Sequence, residues 1–282
     1  MVGDSFDLKK NRTALVFLGL FILPFIIVFY PTWQSLFNAW SSSDDYSHGF
    51  LIVPLSLYFV WQKKESLRTA TIKQSWIAFP LVIIALFLYL VAQYAEIMTL
   101  ASLSMILFLG SSLFLIFGFQ ILKICLFPLF LLFFMVPVPA QIYATLTIPL
   151  QLFVTKITVL IASSMGIPIL RDGNVISLPE HTLQVVQACS GLRSIMTLMT
   201  LGLVIAYLSL KSNLLRTILF LFAIPIAILV NVVRVLLMVI AFYYYNFDLA
   251  EGATHTVFGI MIFCLAVLLF LLFRKGLVLC EK

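Results

Sequence analysis

Long apolar runs alternate with short polar breaks along this chain, and eight of the runs predict membrane-spanning helices. They cover roughly 13–30, 49–62, 75–95, 99–118, 121–138, 190–210, 214–243 and 254–273. The apolar residues are continuous rather than spaced at period two, so the runs predict helices and not barrel strands. The second run is short for a crossing and can extend back through Ser47, His48 and Gly49.

Two segments stand apart from this pattern. "QIYATLTIPLQLFVTKITVLIASSMG" (141–166) is apolar enough to span, but a crossing here would turn over everything after it. Its Thr145, Thr147, Thr155, Lys156 and Thr158 predict a helix lying on the outer surface, or dipping in and returning. Pro137, Pro139 and Pro149 separate it from the fifth run. The alternative is a ninth span. The segment 168–188 predicts an outer β-hairpin with strands in "RDGNVISL" and "HTLQVVQ". Asp172-Gly173 precede the first strand, and Leu178-Pro179-Glu180 form the turn.

Composition turns the pattern into a fold class. The 282 residues are 63% hydrophobic and 10% charged, against about 25% charged in soluble domains. Mean hydropathy is +1.17. The bilayer is therefore the solvent, and the chain reads as one all-α polytopic domain over 1–282. The first run has basic residues before it but no small-residue cleavage site after it, so no cleavable signal peptide is expected. No second, fused domain is expected after the last run.

A net charge of +6 reads as topology, not as a nucleic-acid surface. Lys9, Lys10, Arg12, Lys63, Lys64, Arg68, Lys73, Lys123, Lys211, Arg216, Arg274, Lys275 and Lys282 fall on one side if eight spans alternate. The positive-inside rule makes that side cytoplasmic and puts both termini there. The four remaining cations, Lys156, Arg171, Arg193 and Arg234, belong to the outer half. So do all three histidines, His48, His181 and His255. The outer face is thus the expected place for chemistry.

Of four cysteines, Cys125, Cys264 and Cys280 sit in or at the end of apolar runs, where a thiol behaves as a small hydrophobe. No pair has metal-ligand spacing, and neither metal nor other cofactor is expected. Cys189 alone lies in a polar junction, "QACSGLRSIM". A helix beginning near Ser190 would point its N–H groups at that thiol and favour the thiolate. Arg193 adds positive charge one turn on.

In "ILVNVVRVLLM", Arg234 lies deep within the seventh run, with Asn231 three residues earlier on the same face. A charge at that depth costs at least ~2.5–3.5 kcal/mol unless paired or hydrated, so the pair predicts a polar cavity. The bland reading is an arginine snorkelling to the interface. In "EGATHTVFG", His255 opens the eighth run, and Gly259 leaves room on its face. In "DDYSHGFLIVPL", His48 opens the second beside Asp44 and Asp45, as a proton carrier, an orienting group or a polar cap. Cysteine as nucleophile, histidine as acid and base, and arginine as anion stabiliser make an acyl-transfer set.

"ACSGLRS" (188–194), "NVVR" (231–234) and "HTVFG" (255–259), in this order in a multi-span chain, resemble the three motifs of exosortases. The resemblance extends to "YSHGFLIVPLSLYFVWQ" (46–62), "FMVPVPAQIYATLTIPLQ" (134–151) and "GIPILRDGNVISLP" (166–179). It implies a membrane cysteine transpeptidase of the inner membrane with its site on the outer side. Carried over residue by residue, Cys189 is the nucleophile and Arg234 and His255 are its catalytic partners. Arg193, Asn231 and His48 are then expected to contact substrate. The implied partners are exported proteins ending in a short Pro-Glu-Pro-type signal, a transmembrane helix and a basic tail. The wording resembles the bacterial branch more than the archaeosortases, and that branch is linked to exopolysaccharide. Two rivals use the same residues. A transporter or flippase for a polysaccharide intermediate would use Arg234 and His255 as contacts but leaves Cys189 unexplained, and no inverted repeat supports it. An intramembrane hydrolase would end the same thioester with water.

Overall fold

A computed structural model describes residues 22–179, 182–185, 191–247, 249 and 252–281. Its contacts divide the chain into two compact units, Met1–Pro139 and Ala140–Lys282.

In the first unit, α1 (Ile22–Val28) and α2 (Tyr30–Ser42) meet at a 65° bend. The expected first span ended at Tyr30, yet the helix resumes instead of giving way to a loop. Pro31 explains both facts. It lacks the N–H that would continue the ladder, while its fixed φ suits the first turn of a new helix. The Tyr89 hydroxyl donates to the Val28 carbonyl at the bend (2.7 Å).

Next come α3 (Gly49–Gln62), α4 (Lys64–Thr69), α5 (Phe79–Tyr94), α6 (Met98–Phe117) and α7 (Phe119–Leu131). A 3-10 turn, Leu132–Met135, prolongs α7. Helices α3, α5, α6 and α7 match the expected runs within a few residues, and α4 is a short helix in the basic stretch between two of them. The long antiparallel contact in this unit is α5 on α6. The proline-rich break after Met135 leaves carbonyls without helical donors, and side chains from elsewhere in the unit supply them. Trp40 Nε1–H donates to Met135 (2.9 Å), Tyr46 Oη–H to Val138 (3.2 Å), and Thr99 Oγ1–H to Pro137 (2.9 Å).

In the second unit, α8 (Ala140–Ser164) is a continuous helix of 25 residues. Pro149 lies inside it and does not break it. Of the residues that suggested a surface helix, Thr145 and Lys156 are exposed, but the other three threonines are not. Thr147, Thr155 and Thr158 are buried, while Ile142, Ile148 and Leu160 are exposed. The Thr147 and Thr155 hydroxyls donate to the Tyr143 (2.9 Å) and Gln151 (2.6 Å) carbonyls one turn back, so they are satisfied while buried.

The segment after α8 forms a three-stranded antiparallel meander rather than a two-stranded hairpin. The strands are β1 (Leu170–Asp172), β2 (Val175–Ser177) and β3 (Thr182–Gln184), in the order β1-β2-β3. Asp172 pairs with Val175, so Gly173-Asn174 is a two-residue turn, with Gly173 at φ 60°. Asp-Gly therefore does not precede the first strand but begins the turn that divides it.

The sheet folds back along α8. The Arg171 guanidinium donates to the Leu152 carbonyl (3.2 Å), near the middle of the helix. By length and composition α8 could cross a membrane. A straight crossing, however, would carry exposed Arg171 and Asp172 to mid-bilayer, where a charge and an open sheet edge are costly.

The remaining helices are α9 (Leu192–Ser209), α10 (Asn213–Tyr245) and α11 (Gly252–Cys280). Helix α10 packs against α8, α9 and α11. Its 33 residues span about 50 Å. A core of Val154 and Ala162 from α8, Ile176 and Leu183 from the sheet, and Val232, Val235 and Val239 from α10 fixes the sheet on the C-terminal half of α10. At the other end, Glu281 accepts from the Lys211 N–H (2.8 Å) and ties the end of α11 to the α9–α10 turn. Among the described residues six helices are long and apolar enough to cross a membrane, or seven if the bent α1–α2 pair is one span. Helices α3 and α7 are the shorter apolar ones.

Candidate active site

The second unit brings three of the sequence-selected positions together. Arg234 lies on α10, eleven residues before the C-terminal Tyr245, so about 16 Å from that end. His255 lies in the first turns of α11. Their side chains meet, with Arg234 Nη2 3.0 Å from His255 Nε2. A guanidinium only donates, so Nε2 accepts and carries no proton. The proton then sits on Nδ1, which donates to the Leu249 carbonyl (3.3 Å). The imidazole is thus held as one neutral tautomer between a cation and a backbone oxygen.

Space for the guanidinium comes from Gly259. A Cβ built there would lie 3.5 Å from Arg234 Nη2, in ordinary van der Waals contact, so the guanidinium packs directly over this position. Arg234 Nε is buried and has no hydrogen-bond partner among the described residues. A buried donor on a charged group costs well over ~1 kcal/mol when left unpaired, so this position suits an acceptor.

Asn231, one turn back on α10, is buried. Against it lies Gly191, the residue before α9, in the left-handed region at φ 83°. A Cβ at Gly191 would stand 3.0 Å from Asn231 Nδ2 and 3.1 Å from its Cγ. Only glycine fits both the backbone conformation and the approach. The sequence reading treated Gly191 merely as part of a motif. Its fit in "CSGLR" was the available signal, since a glycine immediately before a helix marks a special backbone angle. Arg193 follows at the second position of α9 and is half-buried.

Cys189 and His181 lie outside the described residues. His48 belongs to the first unit, just ahead of α3. Its Nε2–H donates to the Phe134 carbonyl (3.1 Å), so it joins Trp40, Tyr46 and Thr99 at the proline-rich break. Burial pushes its imidazole below the usual histidine range, partly offset by hydrogen bonds to the Phe134 and Asp45 backbone. A neutral ring that holds a carbonyl is an orienting cap. Of the other cysteines, Cys125 is buried in α7, and Cys264 and Cys280 are exposed on α11.

The fold and this cluster define a polytopic helical membrane protein with an arginine–histidine pair set inside a helical unit. The chain belongs to the transmembrane exosortase family: residues 40–272 match the family described as Transmembrane exosortase (Exosortase_EpsH). That family supports a membrane transpeptidase-type role in general. No curated protein and no solved structure matches the chain.

Proposed function

We propose that this protein is a cysteine transpeptidase that cleaves the C-terminal sorting signal of exported proteins and passes the new carboxyl end to an acceptor. The observation that carries the reading is the Arg234–His255 hydrogen bond with Arg234 Nε left open beside it. Two peptide links tether Cys189 to Gly191, within about 7 Å between Cα atoms, and Gly191 touches Asn231, one turn from Arg234.

Chemistry follows from the tautomer. His255 Nε2 is unprotonated and is the base that takes the Cys189 thiol proton once Arg234 turns from the imidazole to the substrate. The thiolate attacks the scissile carbonyl. Arg234 offers its Nη and Nε donors to the oxyanion. Collapse breaks the C–N bond, His255 returns its proton to the leaving amine, and a thioester remains. The acceptor then gives its proton to His255, attacks the thioester and releases Cys189. Arg193 and Asn231 line the approach and hold the signal peptide.

In this reading the protein sits in the inner membrane with both termini cytoplasmic, and the site faces outward. The substrate tail, a helix with basic residues behind it, enters sideways from the bilayer. A periplasmic reporter fused near Ile176 is expected to be active and one near Ser212 inactive; activity at Ser212 would reverse the orientation. The function itself is tested by co-expression with an exported reporter ending in a Pro-Glu-Pro-type signal, a transmembrane helix and a basic tail. The expected result on a blot is a shortened product that requires the intact chain. A reporter that keeps its full tail at normal enzyme abundance would overturn the substrate assignment.

A further inference from the structure

In the first unit, the ends of α6 and α7 and the lead-in to α5 enclose a cleft of about 700 Å³. That is within the ~300–1,000 Å³ of small-molecule sites. Its lining carries two cations, Lys73 and Lys123, and no carboxylate. Neither lysine forms an ion pair among the described residues.

The cleft is built rather than incidental. The extended segment before α5 pairs with the α6–α7 corner through Lys73 N–H to the Phe117 carbonyl (3.3 Å) and Ser75 N–H to the Leu115 carbonyl (3.1 Å). At Gly118 (φ 87°) a Cβ would fall 2.1 Å from the Lys73 carbonyl, so the corner closes only on glycine. Thr71 donates to Gln120 Oε1 through both its N–H (3.1 Å) and its hydroxyl (2.5 Å). That orients the Gln120 amide and leaves its NH2 group as a donor. Phe119, Gln120 and Lys123 form the first turns of α7, whose N-terminal N–H groups add positive potential.

The setting identifies the occupant. Three apolar helices end here, which places the cleft at a membrane surface. Trp76, Ile77 and Phe119 beside it are 72%, 82% and 66% exposed, an apolar rim suited to acyl chains. A soluble anion would need no such rim. We propose that this cleft binds the headgroup phosphate of an anionic phospholipid, with Lys73 and Lys123 as counter-charges and the acyl chains over Trp76, Ile77 and Phe119.

The test uses the full-length protein in detergent, stripped of lipid and titrated with short-chain phosphatidylglycerol while native mass spectrometry follows binding. One saturable adduct is expected. The double variant Lys73→Gln/Lys123→Gln should bind roughly thirty-fold more weakly, at about five-fold per lysine. Both side chains are exposed, so folding is not at stake. Lys63→Gln/Lys64→Gln carries the same charge change outside the cleft and should bind as the wild type does. Phosphatidylcholine should bind far more weakly, and inorganic phosphate should not displace the lipid. Unchanged affinity in the cleft variant, equal loss in the control variant, or equal binding of phosphatidylcholine would overturn the proposal. Displacement by inorganic phosphate would make this a free-anion site and overturn the lipid assignment.

Discussion

Cys189→Ala should abolish conversion of precursor to product while leaving enzyme abundance normal. Alanine removes only the sulfur, the one group there that can form a thioester. With no nucleophile, the arginine–histidine pair has no bond to make, and the loss should exceed ~10³-fold. Replacing Cys125, Cys264 or Cys280 by alanine should leave conversion unchanged, since none lies near that pair in the chain and two are exposed on apolar helix faces. The measurement is the precursor-to-product ratio on a blot beside enzyme abundance. Wild-type conversion by Cys189→Ala would sink the covalent mechanism.

Arg234→Lys separates chemistry from membrane orientation. A snorkelling residue needs only a long stem and a positive charge, and lysine supplies both. The role proposed here needs more. Arg234 reaches His255 through Nη2 and keeps a second, buried donor at Nε. Lysine offers a point charge that cannot present this planar fork, first to the histidine and then to the oxyanion. At depth it can also drop its proton, whereas arginine stays charged. Losing one well-placed donor to an oxyanion costs about 10²–10³ in rate. Arg234→Lys should therefore insert and accumulate normally, yet convert substrate at least tens of times more slowly, at the low side of that range. Near-full activity would mean that the residue acts through charge alone.

Most of the helical framework was legible because span length and apolarity are properties of the sequence itself. The departures have local causes. The first run was ended at residue 30, just before Pro31, whereas a proline in the first turn also suits the start of a helix, and Tyr30–Ser42 is one. The meander was read as a hairpin because Asp172-Gly173 was placed before a strand instead of within a turn. The threonines of α8 were read as suiting a helix at the membrane surface, but Thr147, Thr155 and Thr158 are buried, because the packing of the unit and not the residue type decides which face is covered.

The candidate site was legible as residue types at helical spacing. Asn231 and Arg234 share a face by their offset of three, and Gly259 offered room beside His255. What spacing could not reveal was the Arg234–His255 hydrogen bond, because it joins residues 21 apart on two helices. Nor could it reveal the Leu249 carbonyl that fixes the tautomer, since every residue carries such an oxygen. His48 shows the converse. Its type suggested chemistry, but the proline-rich break gave it a carbonyl to hold.

The central claim is a thioester on Cys189, and the direct measurement is its capture. Purified enzyme would be mixed with a peptide bearing the sorting signal, quenched in acid and digested, and the Cys189 peptide weighed by mass spectrometry. A mass gain equal to the N-terminal part of the substrate, located on Cys189 and released by hydroxylamine, is the predicted result. Product formation with the Cys189 peptide unmodified at every quench time, and unaffected by Cys189→Ala, would contradict it.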